Sequence, residues 1–371
     1  MIRQRQNVPA GTGVAMIMVI MGLSLTFLYF ARPVMLPIVF SGVIALLLYP
    51  ITKFLENNGF PRIPAILITM LLVLCVIAGI ILLLSTQIYR FGRDLPDIAE
   101  KVDTMLNDLE WFLFKNFNIQ IASKGGSIVQ GSATKFLDSG VFLLSGTIST
   151  FLAIFNFLGL LPIYLFLMLL YRTSFKTFFL RITTPEKHRI VLKILHQVQK
   201  VVQNYIIGLL TVMTIVATLT TTSLIIIGVD YPVFFGCFAA MLMVIPYLGM
   251  IIGALLPAIY ALLTKDSGWY AFAVMASFLF IQFLEGNFIT PKVTGNRVNI
   301  NPLAAIVALV IGGYMWGMGG LVIALPIVAI VKVIVSNIPS LQHFGFLLGT
   351  EIYPSSFSFR RLFSRKPRRI K

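Results

Sequence analysis

Six stretches of this chain, 14–31, 34–50, 63–86, 147–171, 204–229 and 268–290, are almost wholly apolar. Each is close to the about 20 residues that a helix needs to cross a bilayer. In water such segments would need a shell of polar residues, and that shell is missing. Only 11% of the residues are charged and 58% are hydrophobic, where a soluble domain carries about 25% charged residues. Lipid must therefore be much of the solvent. A bilayer core offers no water to the backbone, so each segment has to satisfy its own N–H and C=O groups, as a helix does. The expected fold class is an all-α, polytopic membrane protein.

Two further segments, 232–263 and 302–336, are apolar but interrupted. The first contains Pro246, Gly249, Gly253 and Pro257, and the second Gly312, Gly313, Gly317, Gly319, Gly320 and Pro326. Each is long for one straight span and short for two, so broken helices or re-entrant hairpins are expected. Irregular backbone at membrane depth survives only where protein or a water-filled cavity covers it. Counting each segment once gives about eight spans, and counting both as full hairpins gives ten. Gly249-x-x-x-Gly253 and Gly313-x-x-x-Gly317 have the spacing of close helix approach. Pro33 and Pro37 point to a helix start or kink at the second span.

The formal net charge is +16, and its placement matters more than its size. Seven basic residues lie between Arg360 and Lys371, and seven more in 172–200 are opposed only by Glu186. Basic clusters beside apolar spans mark cytoplasmic loops, so they imply orientation and not a nucleic-acid partner. Arg3 and Arg5, the Lys53–Arg62 loop, 172–200 and the tail are all expected inside, which requires an even number of crossings. The run 14–31 is read as a retained first span, since no small-x-small cleavage site follows it. The 291–301 loop would lie outside with eight crossings and inside with ten, and Lys292 and Arg297 favour inside.

The resulting division is 1–86 for spans one to three, 87–146 external, 147–171 the fourth span, 172–203 a cytoplasmic basic helix, 204–338 the remaining spans and 339–371 a cytoplasmic tail. In the external part Leu95, Ile98, Val102, Met105, Leu109 and Phe112 recur at helical spacing, predicting an amphipathic helix over 94–116. A second apolar rhythm runs from Ile128 to Val141. In the basic segment Thr184 is placed to cap a helix, with Pro185 at its first position. Its apolar face, Ile190, Ile194, Val198, Val201 and Tyr205, continues into the fifth span.

Enzyme signatures are absent: no His-Glu-x-x-His, no Cys-x-x-Cys, no phosphate-binding glycine loop and no serine elbow. No metal site or cofactor is expected. His188, His196 and His343 are scattered, and Cys75 and Cys237 read as small buried hydrophobes. One cluster stands out. Glu285 closes a strongly apolar run, and a charged side chain at bilayer depth costs roughly 2.5–3.5 kcal/mol on insertion scales, so it marks an ion or substrate path by default. Gln282 lies three residues earlier on the same helical face. Gly286 permits close backbone approach, Asn287 adds a donor and an acceptor, and Pro291 and Gly295 are expected to break the helix and free carbonyls. The alternative is an interfacial Glu285 paired with Lys292 or Arg297. Thr214 and Thr218, in a stripe with Thr211 and Thr221, are weighed as a pathway lining against hydroxyls bonded to their own helix. Pro246, Gly249, Gly286, Pro291, Gly295, Gly313, Gly317, Gly320 and Pro326 are the expected hinges or breaks.

These residues carry a resemblance. Pro37, Pro50 and Pro61-Arg62, then Ile245-Pro-Tyr-Leu-Gly249, Glu285-Gly-Asn-x-Ile-x-Pro291-x-x-x-Gly295 and Gly312-Gly313…Gly317…Gly320…Ala324-x-Pro326, are similar in order and spacing to the autoinducer-2 exporter family of bacterial permeases. The likeness covers the chain up to about residue 350. It implies a helical transporter of eight spans in the bacterial cytoplasmic membrane, an external segment after the third span, and homo-oligomers with pentamers among them. Family members are assigned export of autoinducer-2, and some relatives act as sodium/proton antiporters. The expected function is thus export of a small polar solute such as autoinducer-2. A cation/proton antiporter is the alternative, and a structural scaffold the reading from another class.

Overall fold

The computed structural model describes residues 10–117, 148–244, 248–294 and 300–350, and these are mostly helical, with no strand among them. The helices are α1 (Ala10–Phe30), α2 (Arg32–Asn57), α3 (Arg62–Phe117), α4 (Ile148–Leu170), α5 (Arg172–Ile182), α6 (His188–Ile227), α7 (Pro232–Leu242), α8 (Leu248–Thr264), α9 (Gly268–Leu284), α10 (Thr290–Thr294), α11 (Pro302–Asn337) and α12 (Gln342–Leu347). Among the described residues five helices are long and apolar enough to cross a membrane, and the bent pair α4–α5 makes a sixth. Their outward surfaces are apolar: Leu82 is 71% exposed and Ile226 79%. Side chains of that kind facing outward suit lipid, not water. Cys75 lies on such an outward surface, not in a buried position, and Cys237 is half-buried.

Three packing centres hold the bundle. Ala45 and Leu48 of α2 meet Ile66 of α3 and Leu165 and Leu169 of α4. Leu224, Phe235, Ala239, Ala254, Ala258 and Phe278 join α6 to α9. A third joins Val212, Val216 and Ile281, with Met243 and Val293 against them. Lipid offers apolar side chains no drive to leave it, so association rests on close packing and interhelical hydrogen bonds. Ser41 Oγ donates to the Leu161 carbonyl at 2.9 Å, Gln203 Nε2 to the Leu46 carbonyl at 2.7 Å, and Asn337 Nδ2 to Gln197 Oε1 at 2.7 Å. Gln87 Oε1 of α3 accepts from the Phe234 N–H at 2.9 Å, satisfying one of the orphan donors in the first turn of α7.

The Lys53–Arg62 loop and the segment 172–200 meet at one end. Arg172 pairs with Glu56, and Arg62 donates to the Leu169 carbonyl at 3.3 Å. The Gln197–Asn337 bond brings the C-terminal end of α11 to the same region. At the other end Lys265 pairs with Asp230 at 2.9 Å, closing the base of the α7–α8 pair.

That pair is a hairpin. A Cβ on Gly249 would collide with the Leu242 carbonyl, and one on Gly253 would lie 2.9 Å from Ala239 Cα. The two arms therefore lie backbone against backbone, entering and leaving at the Asp230–Lys265 end. With 11 residues in α7 the hairpin reaches about 16 Å into the bundle at 1.5 Å per residue. The segment 302–336 folds back as well. Gly317 has φ 61 and ψ −142 inside α11, a conformation that L side chains avoid. A Cβ on Gly312 would lie 2.7 Å from the Gly320 oxygen, although a straight helix separates residues eight apart by about 12 Å. Gly312 and Gly320, not Gly313 and Gly317, are the pair in close approach. Pro326 is buried inside the second arm, away from the bend. The Trp316 indole donates to the Leu28 carbonyl at 3.0 Å near the turn, and the Asn301 N–H donates to the Leu348 carbonyl at 2.9 Å near the base. Both interrupted segments thus leave at the end where they enter. Residues 300 and 301 lie with the C-terminal end of α11, the end that also carries Glu56 and Arg172.

Other expectations change in detail. Pro37 and Pro50 lie inside α2, which begins at Arg32 and runs 26 residues. The third span and the amphipathic stretch 94–116 are one continuous 56-residue helix, α3; the rhythm at 128–141 lies outside the described residues. The segment 172–200 is two helices, because Thr183 and Thr184 are extended; the first of them, α5, turns 62° away from α4. Thr184 makes no side-chain cap; its carbonyl accepts from the Lys187 N–H at 2.9 Å. On α5, Phe175, Phe178, Phe179 and Ile182 recur on one exposed face between basic residues, the composition of a helix lying at a membrane surface.

Candidate functional site

Beyond Leu284 the helix widens without ending. Pro291 has no N–H, and its ring would strike the Asn287 carbonyl in an ordinary helical turn. The chain answers with a π-helical turn over Glu285–Ile289, in which the Thr290 N–H donates to the Glu285 carbonyl, five residues back. Helical backbone then resumes through Thr294, so Pro291 marks a widening, not a break. In an α-helix residues 285 and 290 would point about 140° apart. The wider turn brings them to one side, and the Thr290 hydroxyl donates to Glu285 Oε1. Gln282 Nε2 donates to Glu285 Oε2 at 3.2 Å. Single π-helical turns of this kind are frequent at functional sites.

Glu285, Gln282, Gly286 and Thr290 all open onto a cavity of about 860 Å³. Its walls come from α6 (Tyr205, Leu209, Val212), the hairpin α7–α8 (Met243, Val244, Ile251, Ala254, Leu255), α9 (Met275, Phe278, Leu279) and the second arm of α11 (Leu325). Met243 and Val244, at the end of the hairpin's first arm, therefore line the same cavity as the widened turn. Glu285, Gln282 and Thr290 gather at the π-helical turn, Tyr205 of α6 adds a phenol, and the remaining lining is apolar. Among the described residues the lining includes no Lys, Arg or His, and Lys292 forms no ion pair with Glu285. The described residues include no group of His, Cys, Asp and Glu able to hold a metal ion.

The structure sorts the expected site residues. It brings Glu285, Gln282 and Gly286 together. Asn287 turns out of the cavity and donates to its own helix at the Phe283 carbonyl, 2.8 Å away. Thr214 and Thr218 are exposed and donate to the Leu210 and Thr214 carbonyls at 2.8 Å, so they bond their own helix and do not line the cavity. Gly249 holds the hairpin arms together near its tip. Gly286 has open space around it, Gly317 makes the turn of α11, and Gly313 packs on Leu321. Pro246 and Gly295 lie outside the described residues, as does Arg297. Sequence reading missed Thr290 and Tyr205. The signal for Thr290 was Pro291 itself, which forces the wider turn.

The family model for AI-2E family transporters matches residues 16–340. The chain belongs to the AI-2E transporter family. It is 26% identical over 324 residues to YueF of Bacillus subtilis (strain 168), covering 84% of this chain and 86% of that one. Over 334 residues it is 24% identical to PerM of Escherichia coli (strain K12), covering 88% and 93%. Over 320 residues it is 22% identical to TqsA of the same strain, named an AI-2 transport protein, covering 86% and 90%. The family is one of membrane transporters, and this chain is a multi-pass helical member of it.

Proposed function

We propose that this protein is a secondary transporter of the bacterial cytoplasmic membrane that exports a small solute, and that the cavity beside Glu285 is its transit site. The observation that carries this reading is the convergence of both hairpin arms, a widened helical turn and a carboxylate on one cavity of about 860 Å³. Small-molecule sites occupy about 300–1,000 Å³ and are largely apolar with few polar groups. Discontinuous helices meeting at a binding site are the architecture of alternating access. No nucleotide-binding motif occurs in the sequence, which leaves an ion gradient, or the solute's own gradient, as the drive. AI-2 enters as a candidate solute through TqsA. The hydrocarbon walls fit a solute with an apolar part better than a wholly polar one.

The test is flux into liposomes containing purified protein. Wild type should move solute, and Glu285→Gln should insert normally while losing most of that flux; full flux in Glu285→Gln would reduce the carboxylate to a structural role.

The oxygen atoms of Glu285, Gln282 and Thr290 favour a second reading, a cation/proton antiporter. It predicts a proton response to sodium without any organic solute. A scaffold protein would show neither. In this reading both termini are cytoplasmic and the assembly is a homo-oligomer, five chains being the size the resemblance points to. A monomer in native mass spectrometry from mild detergent would refute the assembly.

A further inference from the structure

Resting on the reading of this cavity as a solute site, we infer the class of solute: a compact apolar body with a cationic, N–H-bearing head, bound in preference to an anion of the same shape.

The head is specified by Glu285. Its carboxylate accepts from the Thr290 hydroxyl and from Gln282 Nε2. A carboxylate offers about four lone-pair sites, so acceptor capacity remains after these two. Gly286 beside it has no side chain and nothing within 4 Å of where a Cβ would stand, which leaves the approach open. Among the described residues the lining includes no cation to neutralise the charge. The rest of the lining is mostly apolar, so that charge attracts a cationic head and repels an anionic one. A head with N–H groups would also form charge-assisted hydrogen bonds, roughly twice as strong as neutral ones.

The body is specified by the walls. Leu209, Val212, Ile251, Leu255 and Phe278 face the same space. A bare inorganic cation would leave that surface unused, whereas an apolar body removes it from water at roughly 25 cal/mol per Å².

The experiment uses the full chain in phosphatidylcholine nanodiscs and three probes of one shape that differ in head charge: phenethylamine, 2-phenylethanol and 3-phenylpropionate. Equilibrium binding should rank amine over alcohol over carboxylate, with the amine about tenfold tighter than the alcohol, or about 1.4 kcal/mol. Glu285→Gln should close the gap between amine and alcohol while leaving the alcohol's affinity near wild type. Should that variant fail to insert, Gly286→Leu keeps the carboxylate but fills its approach, and should weaken the amine most. Equal binding of the three probes by wild type, or an undiminished amine preference in either folded variant, overturns the proposed solute class and leaves the transit site standing. If wild type binds none of the three, the cavity is not such a solute site and the inference falls with the reading beneath it.

Discussion

Replacing Gly249 by alanine places a methyl carbon within the Leu242 carbonyl group and 2.7 Å from the Met243 nitrogen. Both are backbone, so no rotamer change relieves the overlap, and the arms of the α7–α8 hairpin must part by about 1.5 Å to restore contacts near 3.5 Å. Parting them also loosens Gly253 against Ala239, where the backbones already touch. Overpacking of this kind costs typically 1–3 kcal/mol. The helix preference for alanine over glycine returns at most about 1 kcal/mol. With the contact backbone to backbone, Gly249→Ala should lose about 2 kcal/mol. The matched control is Gly286→Ala, where a methyl meets nothing within 4 Å and stability should stay within about 0.5 kcal/mol of wild type. Reversible unfolding in nanodiscs, followed by tryptophan fluorescence, measures both. Because Met243 and Val244 at the tip line the cavity, Gly249→Ala should also weaken solute binding. A Gly249→Ala protein as stable as the Gly286→Ala control would refute the closed hairpin and the reasoning built on it.

Gly317→Ala should destabilise by about 1–3 kcal/mol, the cost of holding an L residue in a sparsely populated backbone region, and the same unfolding assay reads it; no loss would mean α11 does not turn there. Arg172→Met leaves Glu56, only 20% exposed, without its partner. It should cost about 3 kcal/mol, while the double variant with Glu56→Gln recovers most of the loss; additive losses in the double-mutant cycle would show the two do not interact. Single cysteines at Glu186 and Asp266 should react with a membrane-impermeant maleimide from opposite sides, in a background with Cys75 and Cys237 replaced. Labelling of both from one side would overturn the placement of the Arg172–Glu56 and Asp230–Lys265 pairs at opposite ends.

Much of this architecture was legible in the chain alone. Apolar runs of bilayer length, a shortage of charge and basic residues at the run ends determine a helical bundle in lipid, because a backbone without water has few other ways to satisfy itself. Proline and glycine marked where the two interrupted segments would bend. The cost of a carboxylate in such surroundings singled out Glu285. What the sequence could not carry is which faces meet. In a bilayer both the protein interior and the solvent are apolar, so the periodicity that separates buried from exposed faces in water is weak. Thr214 and Thr218 therefore looked as eligible as Gln282 until packing turned them outward, and Asn287 until it bonded its own helix. Nor could local spacing decide that 232–264 and 302–337 fold back on themselves. That depends on Gly249 meeting Leu242, and Gly312 meeting Gly320, at distances only the folded backbone sets. The site shows the same division: Glu285 and Pro291 are written in the chain, but the cavity that a widened turn carrying Thr290 on the carboxylate shares with Tyr205 exists only once α6, the hairpin and α9 have packed.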